Sequence, residues 1–189
     1  MNHEIENNTG VFAIGTLLAT DDLVADEVQS LGLEVKGRQL GWVTAEGTLH
    51  DAYRMLLTTQ VGDRVVWLLA RGEAVAADQF RELLRTIDWN AHLYAGASVR
   101  VDVTGKVSWL KDTRFAGQLV MDAIRDQAMV ATRPRPEYDT DEPAVRIALR
   151  FGRGQVDIGI NLNRAPLNQR GYRTEGGEEP LRETLAQVM

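Results

Sequence analysis

The sequence predicts an α/β fold of the α+β kind, in which short strands alternate with amphipathic helices. Three observations predict it: apolar runs of strand length, apolar residues at helical spacing between them, and two alternating segments joined by a Gly-Arg-Gly turn. The chain has 189 residues, of which 44% are hydrophobic and 25% are charged. This is the balance of a globular protein that forms one ordinary domain or two small ones.

The first 66 residues indicate, in order, a strand, a helix, two strands and a second helix. An apolar run at 11–19 predicts the first strand, and Thr20 is a suitable N-cap for the helix that follows. Two strands, 33–39 and 40–46, surround a turn near Gly41, and Thr48 caps the second helix. This order suggests a small α+β unit that resembles a ferredoxin-like fold, and we assign it residues 1–66.

A second unit, residues 67–165, begins with an apolar strand at 65–70 and an amphipathic helix at 77–87. Alternating residues at 99–104 predict another strand, and 113–130 is the longest helix candidate. The prolines at 134 and 136 indicate a loop, after which 145–151 and 156–162 alternate as the two strands of a hairpin. Residues 166–189 are polar, and we predict a linker there.

The composition excludes several kinds of site. The chain has no cysteine, so it has no disulfide framework, thiolate metal site or cysteine nucleophile. Its three histidines are scattered, which argues against a histidine metal site. No apolar run is long enough to span a membrane, and the first ten residues are polar and acidic, unlike a signal peptide. We therefore expect a cytoplasmic protein with no metal.

The search for a catalytic constellation gives no candidate. The turn at 152–154 lacks the Gly-Lys-Ser/Thr of a phosphate-binding loop. A glycine-rich turn between a strand and a helix, as in dinucleotide- or methyl-donor-binding folds, is absent from the sequence. Acidic pairs such as Asp21 and Asp22 are typical of a solvated surface. From the residues alone we predict a non-catalytic module, with no catalytic residues and no cofactor.

Charge is unevenly distributed along the chain, whose formal net charge is −6. Residues 1–66 hold 4 Lys/Arg against 10 Asp/Glu, whereas residues 67–165 hold 14 against 13. Phosphate contacts dominate nucleic-acid affinity, so only the second unit could offer a basic surface. The candidate RNA-binding residues are Lys106, Lys111, Arg114, Arg125, Arg146 and Arg150. The first three precede or open the long helix, whose N-terminus could hold a phosphate, and a merely solvated charged face is the alternative. Trp109 could stack on an unpaired base or serve in packing.

Several segments resemble a known family. Four of them are similar to THUMP domains of bacterial rRNA methyltransferases: LHDAYR (49–54), IDW (87–89), VDVTG (101–105) and TRFAGQLVMDAI (113–124). Two later ones, LNQRGYR (167–173) and PLRETLA (180–186), resemble the bridge between the THUMP region and the methyltransferase domain of the 23S rRNA guanine-N2 methyltransferase family. In that family the enzyme is often fused to a guanine-N7 methyltransferase.

The resemblance implies a ferredoxin-like N-terminal domain followed by a THUMP RNA-binding domain. It implies 23S rRNA as the partner, with no DNA and no membrane, and a separate catalytic domain that binds S-adenosylmethionine and lies outside this chain. The chain alone would then be inactive and would hold rRNA for that domain. Two alternatives stay open: a THUMP module of a tRNA-modifying enzyme, and a protein-interaction domain with no RNA role.

Overall fold

The computed structural model describes residues 9–167 of the chain. The described residues form two compact units. Unit 1 comprises 9–67 and 161–167, and unit 2 comprises Leu68–Ile160. Most of the predicted linker, 168–189, lies outside the described residues.

Unit 1 follows the order that the sequence predicts. Its elements are β1 (Thr9–Gly15), α1 (Asp21–Ser30), β2 (Glu34–Gln39), β3 (Trp42–Thr48), α2 (Leu49–Thr58) and the beginning of β4 (Arg64–Glu73). The strands lie in the order β2-β3-β1-β4, and the neighbours are antiparallel. Gly41 has a φ of +75°, which a glycine adopts without strain, and so it permits the tight β2–β3 turn. Phe12 and Ile14 of β1 pack in the core with Val24 and Val28 of α1 and Met55 of α2.

The two predicted helix starts in unit 1 differ in their capping. Thr48 forms a capping box: its hydroxyl accepts from the N–H of Asp51, and Asp51 Oδ2 accepts from the N–H of Thr48. Thr20 stands at the start of α1 without a side-chain cap, because its hydroxyl donates to the Leu17 carbonyl oxygen instead. The prediction that Thr48 caps α2 is thus confirmed. Thr20 is the N-cap residue of α1, but its side chain makes no capping hydrogen bond.

Residues 161–167 belong to unit 1, whereas the sequence pattern predicts that 161–165 belong to the second domain. The N–H of Leu162 donates to the Val65 carbonyl oxygen, at 2.8 Å. Oδ1 of the buried Asn163 accepts from the N–H of Val65, at 2.9 Å. Hydrogen bonding to β4 therefore holds this stretch against the first unit.

Unit 2 contains the remaining elements. They are the rest of β4, α3 (Ala77–Thr86), α4 (Trp89–His92), β5 (Ser98–Gly105), α5 (Thr113–Val130), β6 (Glu137–Tyr138), β7 (Val145–Gly152) and β8 (Gln155–Asn161). The strands lie in the order β4-β8-β7-β5-β6. β5 runs parallel to β6 and β7, whereas β7 and β8 form the predicted antiparallel hairpin.

The core of unit 2 lies between its strands and the helices α3 and α5. Phe80 and Leu84 of α3 and Val120 and Ile124 of α5 pack against Ile147 and other apolar residues of the strands. Two short elements could not be predicted from the sequence. The helix α4 has four residues and the strand β6 has two, which are too few to produce a periodic pattern.

Trp109 belongs to this core. Its ring lies 5.9 Å from that of Phe80 and 5.8 Å from that of Phe151, measured between centroids. Its indole N–H donates to the Ala74 carbonyl oxygen at 2.8 Å. Of the two roles that the sequence left open for Trp109, the structure therefore shows packing.

Candidate nucleic-acid interface

Two of the six candidate residues lie in the loop between β5 and α5. Lys106 directly follows Gly105, the last residue of β5, and Lys111 precedes the helix by two residues. Both side chains are exposed. The loop presents two ammonium groups to solvent, where each could meet a phosphate oxygen as a point charge.

Arg114 lies in the first turn of α5, and Asp112 already occupies that helix end. The Asp112 side chain accepts from the Arg114 N–H at 2.9 Å and lies 2.7 Å from the Arg114 guanidinium. This pairing lowers the pKa of the Asp112 carboxyl group and raises the pKa of Arg114, mainly through the side-chain hydrogen bond between them. The helix N-terminus thus carries its own carboxylate, so an incoming phosphate would meet the exposed guanidinium of Arg114 rather than bare N–H groups.

Arg125 lies three turns further along α5. It is eleven residues from Arg114, so the two stand on one face about 16 Å apart along the axis. Arg125 is half-buried, and its Nε donates to the Pro136 carbonyl oxygen at 3.4 Å. Gln118 and Met121 lie between these arginines on the same helix face, here named the α5 stripe, and Met121 is 3% exposed. The stripe is therefore interrupted by core packing between the two arginines.

Arg146 and Arg150 lie on the same face of β7, because side chains two and four residues apart in a strand point the same way. The residues between them on the other face, Ile147 and Leu149, are buried in the core of unit 2. Nη1 of Arg146 lies 3.7 Å from Asp102 of β5, and Nη1 of Arg150 lies 3.9 Å from Asp157 of β8. The sequence pattern placed these two arginines correctly on one face of the strand.

Two further arginines, outside the six predicted residues, belong to the same charged cluster. Arg71 of β4 binds the Asp157 carboxylate with both Nε and Nη2, and Arg100 of β5 donates from Nε to Asp102 at 2.7 Å. Arg100 could have been found, since it alternates with Val99 and Val101 in the predicted strand. Arg71 could not, because its partner Asp157 lies 86 residues away in sequence.

The electrostatics of this cluster differ between its arginines. The hydrogen bonds that Arg71 donates to the Asp157 carboxylate raise the pKa of Arg71. Burial lowers the pKa of Arg150, and the nearby charge of Arg71 lowers it further, while Asp157 opposes both effects. Arg71 and Arg150 thus repel each other across a shared carboxylate, which an added anion would relieve.

The described part of the chain contains neither a candidate metal site nor a candidate membrane-spanning helix. Between residues 9 and 167, no cluster of three or more His, Asp or Glu side chains could hold a metal ion. Of the helices described, none is both long enough and apolar enough to cross a membrane.

Comparison with known proteins gives the family. The family model described as the RlmL ferredoxin-like domain matches residues 12–66. A protein named ribosomal RNA large subunit methyltransferase K/L from Chromohalobacter salexigens is 38% identical over 170 residues, which is 89% of this chain. One of the same name from Marinobacter nauticus is 35% identical over 95% of this chain. This chain corresponds to the N-terminal region of the proteins of this family.

The chain spans about a quarter of these relatives, 23% of the first and 25% of the second. A solved structure titled as a predicted N6-adenine-specific DNA methylase from Listeria monocytogenes has the same fold. It superposes with a TM-score of 0.83 at 24% identity, over 96% of this chain and 47% of that one. The predicted α+β class with a ferredoxin-like first domain is confirmed.

Proposed function

We propose that this chain is the RNA-capturing part of a 23S rRNA (guanine-N2) methyltransferase, with a THUMP domain in unit 2, Leu68–Ile160. One observation carries the proposal: relatives that are 38% and 35% identical across about nine-tenths of the chain are named large-subunit ribosomal RNA methyltransferases. An enzyme that modifies rRNA works where ribosomes are made, so we place it in the cytoplasm. In this role the chain binds structured rRNA and a catalytic domain transfers the methyl group.

The geometry of unit 2 supports RNA contact by the six candidate residues. Lys106, Lys111 and Arg114 are exposed around the start of α5. Arg146 and Arg150 share the face of β7 opposite to the one that packs against α5, so they form a second group, separate from Arg125 on the side of α5. Guanidinium groups match phosphate oxygens with two parallel hydrogen bonds and also stack on bases, so each group suits contact with an RNA backbone.

The described residues do not fit S-adenosylmethionine, the methyl donor of such enzymes. A methyl-donor site of the doubly-wound kind needs a glycine turn that lets the backbone approach the ligand between a strand and a helix. Gly105 ends β5 before the loop to α5, but a Cβ there would meet the Phe151 backbone, so this glycine serves the close packing of two strands. We therefore assign the cofactor to the part of the relatives that this chain does not span.

A competition experiment tests the proposal. The purified 189-residue chain is crosslinked by ultraviolet light to labelled fragments that tile 23S rRNA, in the presence of excess unlabelled tRNA or excess unlabelled 23S rRNA. We expect a small group of 23S fragments to crosslink and tRNA to compete poorly. Preferential crosslinking to tRNA would favour the tRNA-modifying alternative. Absence of crosslinks to either RNA at millimolar protein would contradict an RNA role.

A further inference from the structure

One face of the sheet in unit 2 carries a regular set of six charged side chains, here named the Arg–Asp face. Its members are Arg71, Arg100, Asp102, Arg146, Arg150 and Asp157. The strand register fixes their layout: Arg100 lies beside Arg146, and Arg150 lies beside Asp157. The six side chains, four arginines and two aspartates, sum to +2, and Glu73, two residues after Arg71 on the same side of β4, reduces the sum to +1 in a chain of net charge −6.

Small residues separate the two arginine pairs. Ala148 lies between Arg146 and Arg150 on β7, and its neighbours in the register are Asp102 on β5 and Gly159 on β8. Four residues of strand place Arg146 and Arg150 about 13 Å apart. Arg146 and Arg150 are therefore separated on this face of β7 only by the methyl group of Ala148.

Each aspartate holds two arginines, one closely and one loosely. Asp157 binds Arg71 with both oxygens and lies 3.9 Å from Arg150. Asp102 accepts from Arg100 at 2.7 Å and lies 3.7 Å from Arg146. Nε of Arg146 is buried and makes no hydrogen bond to the residues that the structure describes. The contact with Asp102 therefore satisfies only part of the Arg146 guanidinium group, and a buried donor without an acceptor is costly.

The carboxylates lie deeper than the arginines that they hold closely. Asp157 is 14% exposed and Arg71 is 41% exposed; for Asp102 and Arg100 the values are 26% and 36%. A guanidinium group has five N–H donors in a fixed plane, so an arginine that is anchored from below still presents donors outward. The aspartates therefore fix the orientation of arginines whose outer edges face solvent.

We propose that the Arg–Asp face binds the sugar–phosphate backbone of RNA, with Arg71 and Arg100 as further contacts and Asp102 and Asp157 as positioning residues. This inference rests on the proposed function, because it names the surface that RNA would occupy. It makes a prediction that bulk electrostatics does not. Removing either carboxylate raises the net charge of the protein by one, which alone would strengthen binding to a polyanion. If the carboxylates orient the arginines, removing one weakens binding instead.

The test uses the whole chain and a fluorescein-labelled 30-nucleotide stem–loop RNA, with binding followed by anisotropy. Arg71→Ala is compared with Arg81→Ala, which removes an arginine of matched exposure, 42%, that pairs with Asp78 on α3. Asp157→Asn is compared with Asp78→Asn, which frees that control arginine. Asp157→Glu keeps the charge and moves the carboxylate outward by one methylene group. Thermal unfolding of each variant measures how much folded protein is present.

We expect Arg71→Ala, Asp157→Asn and Asp157→Glu each to weaken binding three- to tenfold, and both control variants to stay within twofold of the wild type. Asp102→Asn, which acts on the other arginine pair, should repeat the result if Asp157→Asn is poorly folded. Tighter binding by both Asn variants, or unchanged binding by Arg71→Ala, would overturn this inference while the wild type still binds RNA. A wild type that does not bind the stem–loop or the 23S fragments would overturn the proposed function as well.

Discussion

Gly105 lies opposite Phe151 on two neighbouring parallel strands, and a Cβ at position 105 would collide with the Phe151 carbonyl group. Gly105 also has a φ of +80°, in the left-handed region that other residues avoid. The residue ends β5, and Lys106 and the loop to α5 follow it. The exposed lysines of the candidate interface therefore depend on a backbone contact that only glycine permits.

Gly105→Ala should lower the free energy of unfolding by about 3 kcal/mol, because the new methyl group adds both a backbone clash and an unfavourable φ. Gly117→Ala is the matched control. Its Cβ would lie 3.8 Å from the Val101 Cβ, an ordinary contact, and alanine favours a helix interior over glycine by about 1 kcal/mol. Chemical denaturation measures both. Equal effects of the two substitutions would contradict the account of Gly105.

Thr48→Ala should lower the free energy of unfolding by about 1 kcal/mol, the usual value of a side-chain N-cap. The capping box of α2 is its cause, since Thr48 and Asp51 satisfy each other's backbone N–H groups. Urea unfolding at pH 7 measures the loss. A Thr48→Ala variant as stable as the wild type would contradict stabilisation by this capping box.

The contribution of Asp51 to the free energy of unfolding should depend on pH. Hydrogen bonds from the Thr48 side chain and backbone lower the pKa of Asp51 below its ordinary value of 3.8. A carboxyl group whose pKa is lower in the folded state than in the unfolded state stabilises the protein at pH values above the unfolded-state pKa. This stabilisation is lost as the pH falls through the folded-state pKa. The stability difference between wild type and Asp51→Asn should therefore be full at pH 7 and shrink below about pH 4. A difference that is unchanged at pH 3 would show that the carboxylate charge does not matter.

Gln127 joins α5 to the segment that precedes and begins α4. Its Oε1 accepts from the Trp89 N–H at 2.9 Å, and its Nε2 donates to the Ile87 carbonyl oxygen at 2.7 Å. Gln127→Ala should cost about 2 kcal/mol, since both backbone groups lose a partner. Gln127→Glu keeps the acceptor but removes the donor, so we expect a smaller loss at neutral pH. Thermal unfolding measures both, and an alanine variant as stable as the wild type would contradict this role.

Much of the fold could be predicted because its elements are periodic and their ends carry local signals. The helix at 113–130 agrees with α5, and the alternating hairpin agrees with β7 and β8. What the sequence could not show depends on distant contacts. The close contact of Gly105 with Phe151 and the attachment of Asn163 to Val65 both join residues far apart in the chain.

The candidate RNA-binding residues, like the fold, could be predicted where a local pattern places them and not where their position depends on distant contacts. Arg146 and Arg150 were placed on one face by alternation alone. The interruption of the α5 stripe was not foreseen, because Met121 suits either a core or a surface position at helical spacing. The pairing of Arg71 with Asp157 needed the register of β4 against β8, which no local pattern supplies.

The salt dependence of RNA binding tests whether the surface formed by Lys111, Arg114 and Arg125 holds RNA by its phosphates. Affinity of the whole chain for its best 23S rRNA fragment is measured between 50 and 200 mM salt, for the wild type, for Lys111→Glu/Arg114→Glu/Arg125→Glu, and for the control Arg54→Glu/Arg81→Glu/Arg85→Glu. With three or more phosphate contacts, wild-type affinity should fall at least about tenfold over this range. The first triple variant should bind at least tenfold more weakly than the control triple, which carries the same net charge. A wild-type affinity that does not change with salt, or equal binding by the two triple variants, would contradict RNA capture by this surface.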